Sequence, residues 1–174
     1  AWKGLRKLAL ANSAVVDFGN AAASLTKLRE MRVVMGKFGV SERSLVWMAS
    51  PKIYQQLLSL DEVTTVEKFG PQATILRGAL AALDGIPIVI TEYNRDDLNA
   101  TGVYDGTTDD RSVIKLVNRT RFMWGVRRPM RVRVTMDPTP PGDRWLMASW
   151  WRGDFKGHPQ SADEASVVLG YNLS

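Results

Sequence analysis

Apolar and polar positions alternate along this chain with two different periods. Trp2, Leu5, Leu8 and Ala9 recur at helical spacing, so residues 1–10 read as the end of an amphipathic helix, broken by Asn12, Ser13, Gly19 and Asn20. A second helix is predicted over 21–35. Leu25, Leu28, Met31 and Met35 share one face there, Lys27, Arg29 and Arg32 lie largely off it, and Gly36 is placed as the cap, free to take positive φ. Residues 45–49 are a short apolar run suited to a buried strand. Ser50-Pro51 follows as a helix start: serine can accept from a free N–H of the first turn, and proline at the first position gives up no needed donor. Ile53, Tyr54, Leu57 and Leu58 form the buried stripe of that third helix.

Strand periods dominate the remainder. Residues 62–69 read as extended up to the Gly70-Pro71 break, and 86–91 as a buried strand entered through an Asp84-Gly85 turn. Pro87 has no N–H to give to a ladder, which puts it near the strand's start or on an edge. Residues 94–110 are polar and glycine-containing, a long loop expected to be mobile, and 112–118 are another strand. Over 130–136 the pattern alternates basic and apolar through Arg131, Val132, Arg133 and Val134, giving a half-buried strand with an arginine face. The turn-rich stretch 137–143 then reverses the chain into 144–152, with Trp145, Met147 and Trp151 on one side, so the two strands form an antiparallel hairpin. Residues 165–169 are a last short strand. Helices mixed with mostly antiparallel strands make the fold class α+β.

Composition narrows what this fold can do. The chain has 174 residues, 45% of them hydrophobic, enough for one core and a small second lobe. No apolar run approaches the ~20 residues that span a bilayer, so no membrane partner is expected. No signal peptide is recognisable. The chain opens on Ala1 in the middle of a helical pattern, the expected mark of a cut left end. Cysteine is absent, which removes disulfides, thiol nucleophiles and cysteine metal sites and is in keeping with a reducing cytosol. The formal net charge is +5 with a pI near 9.7, a balance that serves either solubility or a nucleic-acid partner.

Catalytic chemistry finds no foothold. There is no phosphate-binding glycine loop and no G-x-S-x-G elbow. The single histidine, His158, sits between Gly157 and Pro159 in a loop, where a structural or idle role is expected. The acidic pairs Asp61-Glu62, Asp96-Asp97 and Asp109-Asp110 read as solvated turn charges, with Asp96 and Asp97 kept as candidates for a subunit contact. Asn99-Ala100-Thr101 and Asn118-Arg119-Thr120 match the glycosylation sequon by chance. No enzyme, cofactor, metal or small-molecule substrate is expected.

Two clusters remain. Arg119, Arg121, Arg127, Arg128, Arg131 and Arg133 fall within fifteen residues. They can pair with carboxylates of a neighbouring subunit, the preferred reading, or face packaged nucleic acid. Aromatics are not interleaved with them in the sequence as a single-strand binder would have it. Trp145, Trp150 and Trp151 form the second cluster. The two adjacent tryptophans must point to opposite faces of a strand, so a surface beyond the local core has to be covered. Trp47 and Trp124 are expected in an ordinary core.

With these residues in view, the sequence resembles the major capsid proteins of tailed phages. Leu45-Val46-Trp47-Met48-Ala49-Ser50-Pro51, with Tyr54 and Leu57-Leu58, looks like their strand, Ser-Pro, helix segment. Gly78-Ala79-Leu80 through Leu83-Asp84-Gly85-Ile86-Pro87-Ile88-Val89 is similar to a second segment of that family, and 130–155 and 165–171 fall where it has its hairpin and closing strand. The resemblance implies a remnant after a missing spine helix (1–19), an axial domain of mixed or antiparallel sheet with flanking helices (20–128), a long peripheral hairpin (129–155) and a strand returning to the axial domain (156–174). It implies a structural subunit of an icosahedral shell, assembling with copies of itself into pentamers and hexamers in the bacterial cytoplasm and residing in the virion. Non-specific contact with packaged DNA is a further implied partner. Subunit contacts are expected at Trp145, Trp150, Trp151, Arg127, Arg128, Arg131, Arg133, Asp96 and Asp97. Without the spine helix, one face of the hairpin should be under-packed, leaving tryptophan exposed or covered by a neighbouring molecule. An encapsulin-type shell and a basic nucleic-acid-binding module are the alternatives.

Overall fold

Two strands, Ser112–Asn118 (β5) and Val167–Leu173 (β8), are apolar on both faces, and the architecture is built around that property. The computed structural model describes residues 4–73, 78–107, 110–137, 144–157 and 165–174. In chain order the earlier elements are Leu5–Ala11 (α1), Val15–Ala21 (β1), Leu25–Val34 (α2), Leu45–Ala49 (β2), Pro51–Leu58 (α3), Asp61–Thr64 (α4), Val66–Phe69 (α5), Ala82–Leu83 (β3) and Ile86–Ile90 (β4). Between β5 and β8 come Phe122–Asp137 (β6) and Arg144–Gly157 (β7). Six strands form one mixed sheet in the order β1-β8-β5-β2-β4-β3, while β6 and β7 pair only with each other.

A strand covered on both faces needs apolar layers above and below it. On one side α2 and α3 bring Leu28, Met31, Met35, Ile53 and Leu57 onto Leu45, Trp47, Ile114, Leu116 and Val168. On the other side α1 and the loop before β5 bring Ala9 and Leu98 onto Val113, Val117, Val167 and Leu169. Gly170 is where the first layer comes closest. A Cβ there would lie 2.6 Å from Phe18, 2.8 Å from Ile114 and 2.9 Å from the Met31 sulfur, so only glycine lets α2 and β1 settle on β8.

Local chemistry matches these elements. Ser50 Oγ accepts from the Ile53 N–H (3.3 Å) with Pro51 at the first helical position, and Ser24 Oγ accepts from the Lys27 N–H (3.4 Å) at the start of α2. Caps of this kind contribute about 1 kcal/mol each. Gly36 has φ +62° directly after α2, as its capping role requires. Asp84 (φ +49°) and Gly85 (φ +76°) form the two-residue turn that joins β3 to β4, the positive-φ pair that matches strand twist. Arg29 clamps that turn to α2 with two bonds to the Asp84 carboxylate, 2.9 and 3.1 Å. Pro87 is the second residue of β4 and pairs with Ala82 of the short edge strand, as its missing N–H demands.

The structure corrects several expectations. Residues 62–69 are not extended: they form α4 and α5, each a single turn, and the one Leu60 carbonyl accepts from both the Val63 and Thr64 N–H groups to close α4. The stretch from Asn12 to Asn20 holds a strand as well as a break, for β1 pairs in parallel with β8 from the other end of the chain. The second helix starts at Leu25, not residue 21, since Ala21 still belongs to β1. The final strand runs on to Leu173. His158 and the turn residues 138–143 lie outside the described residues.

Candidate subunit interface

The β6–β7 ribbon carries most of the singled-out residues, and its register decides which of them meet. Trp124 stands opposite Phe155, Arg128 opposite Arg152, Arg131 opposite Trp150, Val134 opposite Met147 and Met136 opposite Trp145. Register shifts fall between Val126 and Arg128 and between Arg128 and Arg131, so β6 is bulged twice at its arginine-rich centre. Two single-residue shifts restore the side-chain alternation, and the paired strands keep two consistent faces from Phe122 to Asp137 and from Arg144 to Gly157.

One face is apolar. Phe122, Trp124, Val126, Val132, Val134 and Met136 of β6 share it with Trp145, Met147, Trp151 and Phe155 of β7. Phe122 stacks on Phe155 at 5.3 Å between ring centroids, and Trp124 stacks on Trp151 at 5.4 Å. Beyond Phe122 at its base, nothing else among the described residues covers this face: Trp145 is 70% exposed, Met147 71%, Trp124 51% and Trp151 44%. The other face is cationic, with Arg128, Arg131, Arg133, Arg152 and Lys156 around Trp150. Arg127 sits at the first bulge. Arg128, Arg131, Val132, Arg133 and Trp150 line a shallow groove of about 360 Å³ on the ribbon.

An isolated two-stranded ribbon is marginal in water. This one is anchored at its base, where Phe122 packs on the layer of α1, the Arg121 guanidinium lies 3.8 Å over the Phe38 ring, and Arg119 donates to the Arg43 carbonyl at 2.8 Å. Arg119 and Arg121 therefore hold the ribbon to the body and do not join the cationic face. Trp124, expected in the core, is a ribbon residue, because β6 begins at Phe122 and not at 130. Trp47 is in the core as expected, 3% exposed. Trp150 corrects the reading that no aromatic is interleaved with the arginines: it comes between them from the opposite strand. Arg152 and Lys156 were missed as members of the cationic face, and only the cross-strand register brings them in.

Asp96 and Asp97 lie in the β4–β5 loop. Asp97 takes two bonds from Arg95 (2.8 and 2.6 Å), which hold its carboxyl below the usual carboxylate range, and the Arg95 guanidinium lies 3.6 Å over the Tyr104 ring. Beneath this loop, Lys115 of β5 donates to Asn94 Oδ1, and Asn94 Nδ2 donates to the Met48 carbonyl at 3.0 Å. Burial first, then the nearby Arg6 charge, push the Lys115 ammonium down to about 8. Both Asn-x-Thr sites are backbone devices. Asn99 Oδ1 accepts from the Thr101 and Val103 N–H groups, and the buried Asn118 accepts from Thr120 while donating to the Phe38 carbonyl. Among the described residues no three His, Cys, Asp or Glu side chains converge where a metal ion could sit, and no helix is long and apolar enough to cross a membrane.

No family model and no curated protein matches the sequence. Solved structures do match the fold. A chain from Mycobacterium phage Che8 superposes with a TM-score of 0.61 at 16% identity, covering 95% of this chain and 56% of that one. A chain of the bacteriophage PhiM1 mature capsid gives 0.64 at 12% identity, covering 92% and 51%. The capsid of cyanophage P-SCSP1u gives 0.65 at 13%, covering 92% and 53%. The α+β fold is that of phage capsid chains, and this chain spans about half the length of each.

Proposed function

We propose that this chain is part of a structural subunit of an icosahedral viral capsid, a phage or prophage major capsid protein whose copies assemble into capsomers that enclose the genome. The observation that carries the reading is an exposed aromatic ribbon standing on a body with the phage-capsid fold. Trp124, Trp145 and Trp151 alone leave roughly 300 Å² of aromatic surface in water, taking ~150–250 Å² per ring system. With Met147, Val132, Val134 and Met136 added, the patch exceeds what a monomer ordinarily exposes, which favours a covered, interfacial face. In this reading the six-stranded body is axial, the loop 94–110 lies toward the capsomer axis, and the ribbon is peripheral. Pentamers and hexamers, assembly in the bacterial cytoplasm and a place in the virion follow from the same reading, and the role is structural, not catalytic. Closed symmetry would repeat each modest contact many times.

The test is size-exclusion chromatography with light scattering, and electron microscopy of any large species, on the chain expressed within its complete reading frame. Capsomers or closed shells are the expected result. A product that stays monomeric at high concentration would overturn the proposal.

A further inference from the structure

The cationic face of the ribbon is chemically separate from the aromatic one. Arg127, Arg128, Arg131, Arg133 and Arg152 have no ion pair or hydrogen bond to another described side chain. All are exposed, and Arg128 stands directly across from Arg152, a like-charge pairing that costs stability unless an anion bridges it. Residues 122–157 hold seven Lys or Arg against three Asp. Arg131 and Arg133 lie two residues apart on one strand face, about 6.8 Å. Such a row presents guanidinium forks, suited to bidentate phosphate contacts, at a repeat that an extended polyanion can follow.

Several carboxylates of the described body are already held by groups of their own chain. Asp84 is held by Arg29, Asp97 by Arg95, Glu42 by Arg32 and Glu30 by Lys27. Asp105 accepts from Thr107 and Asn99 within its own loop. These five carboxylates are engaged within the chain, and the evenly spaced guanidinium forks suit the repeating phosphates of a polymer better than scattered side-chain carboxylates.

We infer that the cationic face of the ribbon binds the phosphate backbone of nucleic acid without reading its sequence. Arg128, Arg131, Arg133 and Arg152 make the phosphate contacts and Trp150 lies in the groove between them. The inference rests on the shell reading only for the identity of the polymer, which is then the enclosed genome. The binding itself is a property of the ribbon and is measured apart from assembly.

The experiment uses the 174-residue chain and a fluorescein-labelled 20-base-pair duplex of arbitrary sequence, with anisotropy read from 50 to 200 mM salt. Four phosphate contacts predict a loss of about 100-fold in affinity across that range. The variant Arg128→Gln/Arg131→Gln/Arg133→Gln/Arg152→Gln should lose most of the affinity and flatten the salt dependence. The variant Lys7→Gln/Lys37→Gln/Arg43→Gln/Lys68→Gln removes the same charge from exposed body positions and should keep both. Duplex binding should also quench tryptophan emission, and Trp150→Phe should remove most of that quench while leaving the circular dichroism unchanged. Equal losses in the two charge variants would overturn the inference, leaving only general attraction to a basic protein. So would tight binding of polyglutamate with no binding of duplex, which would identify an acidic protein as the partner. Failure of binding with shell assembly intact removes this inference alone, and failure of assembly with binding intact removes only the shell reading.

Discussion

The body sheet and the ribbon are built from similar strand chemistry and meet opposite fates. In β5 and β8 nearly every side chain is buried, because helices and a loop of the same chain cover both faces. In β6 and β7 every second residue on average is apolar, yet Val132, Val134, Met136, Trp145 and Met147 are all at least half exposed. Alternation of side chains specifies which residues share a face. It does not specify whether the cover for that face comes from within the chain, and in the ribbon no described residue supplies it.

The comparison is sharpest where removal of a side chain should matter in one region and not in the other. Leu116→Ala, in the fully buried centre of β5, should lower unfolding stability by about 2–5 kcal/mol in chemical denaturation. Gly170→Ala should cost about 1–3 kcal/mol, since its methyl group must displace Phe18, Ile114 or Met31. A neutral result there would mean that the layers around β8 are looser than the geometry implies. Ser50→Ala should cost about 1 kcal/mol by removing the cap of α3.

Lys115 tests the body through pH. Its folded pKa, about 8, lies below the ordinary lysine value of 10.5, so between these the unfolded chain holds a proton that the folded chain has released. Stability from this group therefore rises with pH across that window and is level below it. Denaturant midpoints measured at pH 7 and pH 10 should show this rise in the wild type and lose it in Lys115→Met. An identical pH response in both proteins would show that Lys115 is not desolvated. The smallest expected effect is in the ribbon: Trp145→Ser should change unfolding stability by less than about 0.5 kcal/mol, while reducing self-association measured by light scattering. A core-sized destabilisation would show that the chain itself covers this face.

Much of the body was legible because its signals are local. Ser50-Pro51, Asp84-Gly85 and Gly36 each act within a few residues, so their chemistry can be read along the chain, and the stripe Leu28, Met31, Met35 needs only one helix to make sense. Residues 62–69 misled because two single turns leave no helical period long enough to see. Strand β1 was hidden because its partner, β8, lies at the far end of the sequence. Trp124 was misplaced for a related reason: the bulges after Val126 interrupt the alternation, so β6 seemed to begin only where regular alternation resumes.

The sequence by itself determined the α+β class, the Ser50-Pro51 helix start, the tight turn and the two-sided character of the hairpin, since these follow from side-chain spacing and from short-range capping and turn chemistry. Only the tertiary structure decided that Trp150 stands among Arg128, Arg131, Arg133 and Arg152, that Arg119 and Arg121 serve as anchors, and that position 170 has room for glycine alone. Each of these depends on which strand or helix lies alongside, and that proximity is set by pairing across long separations, which no local period records.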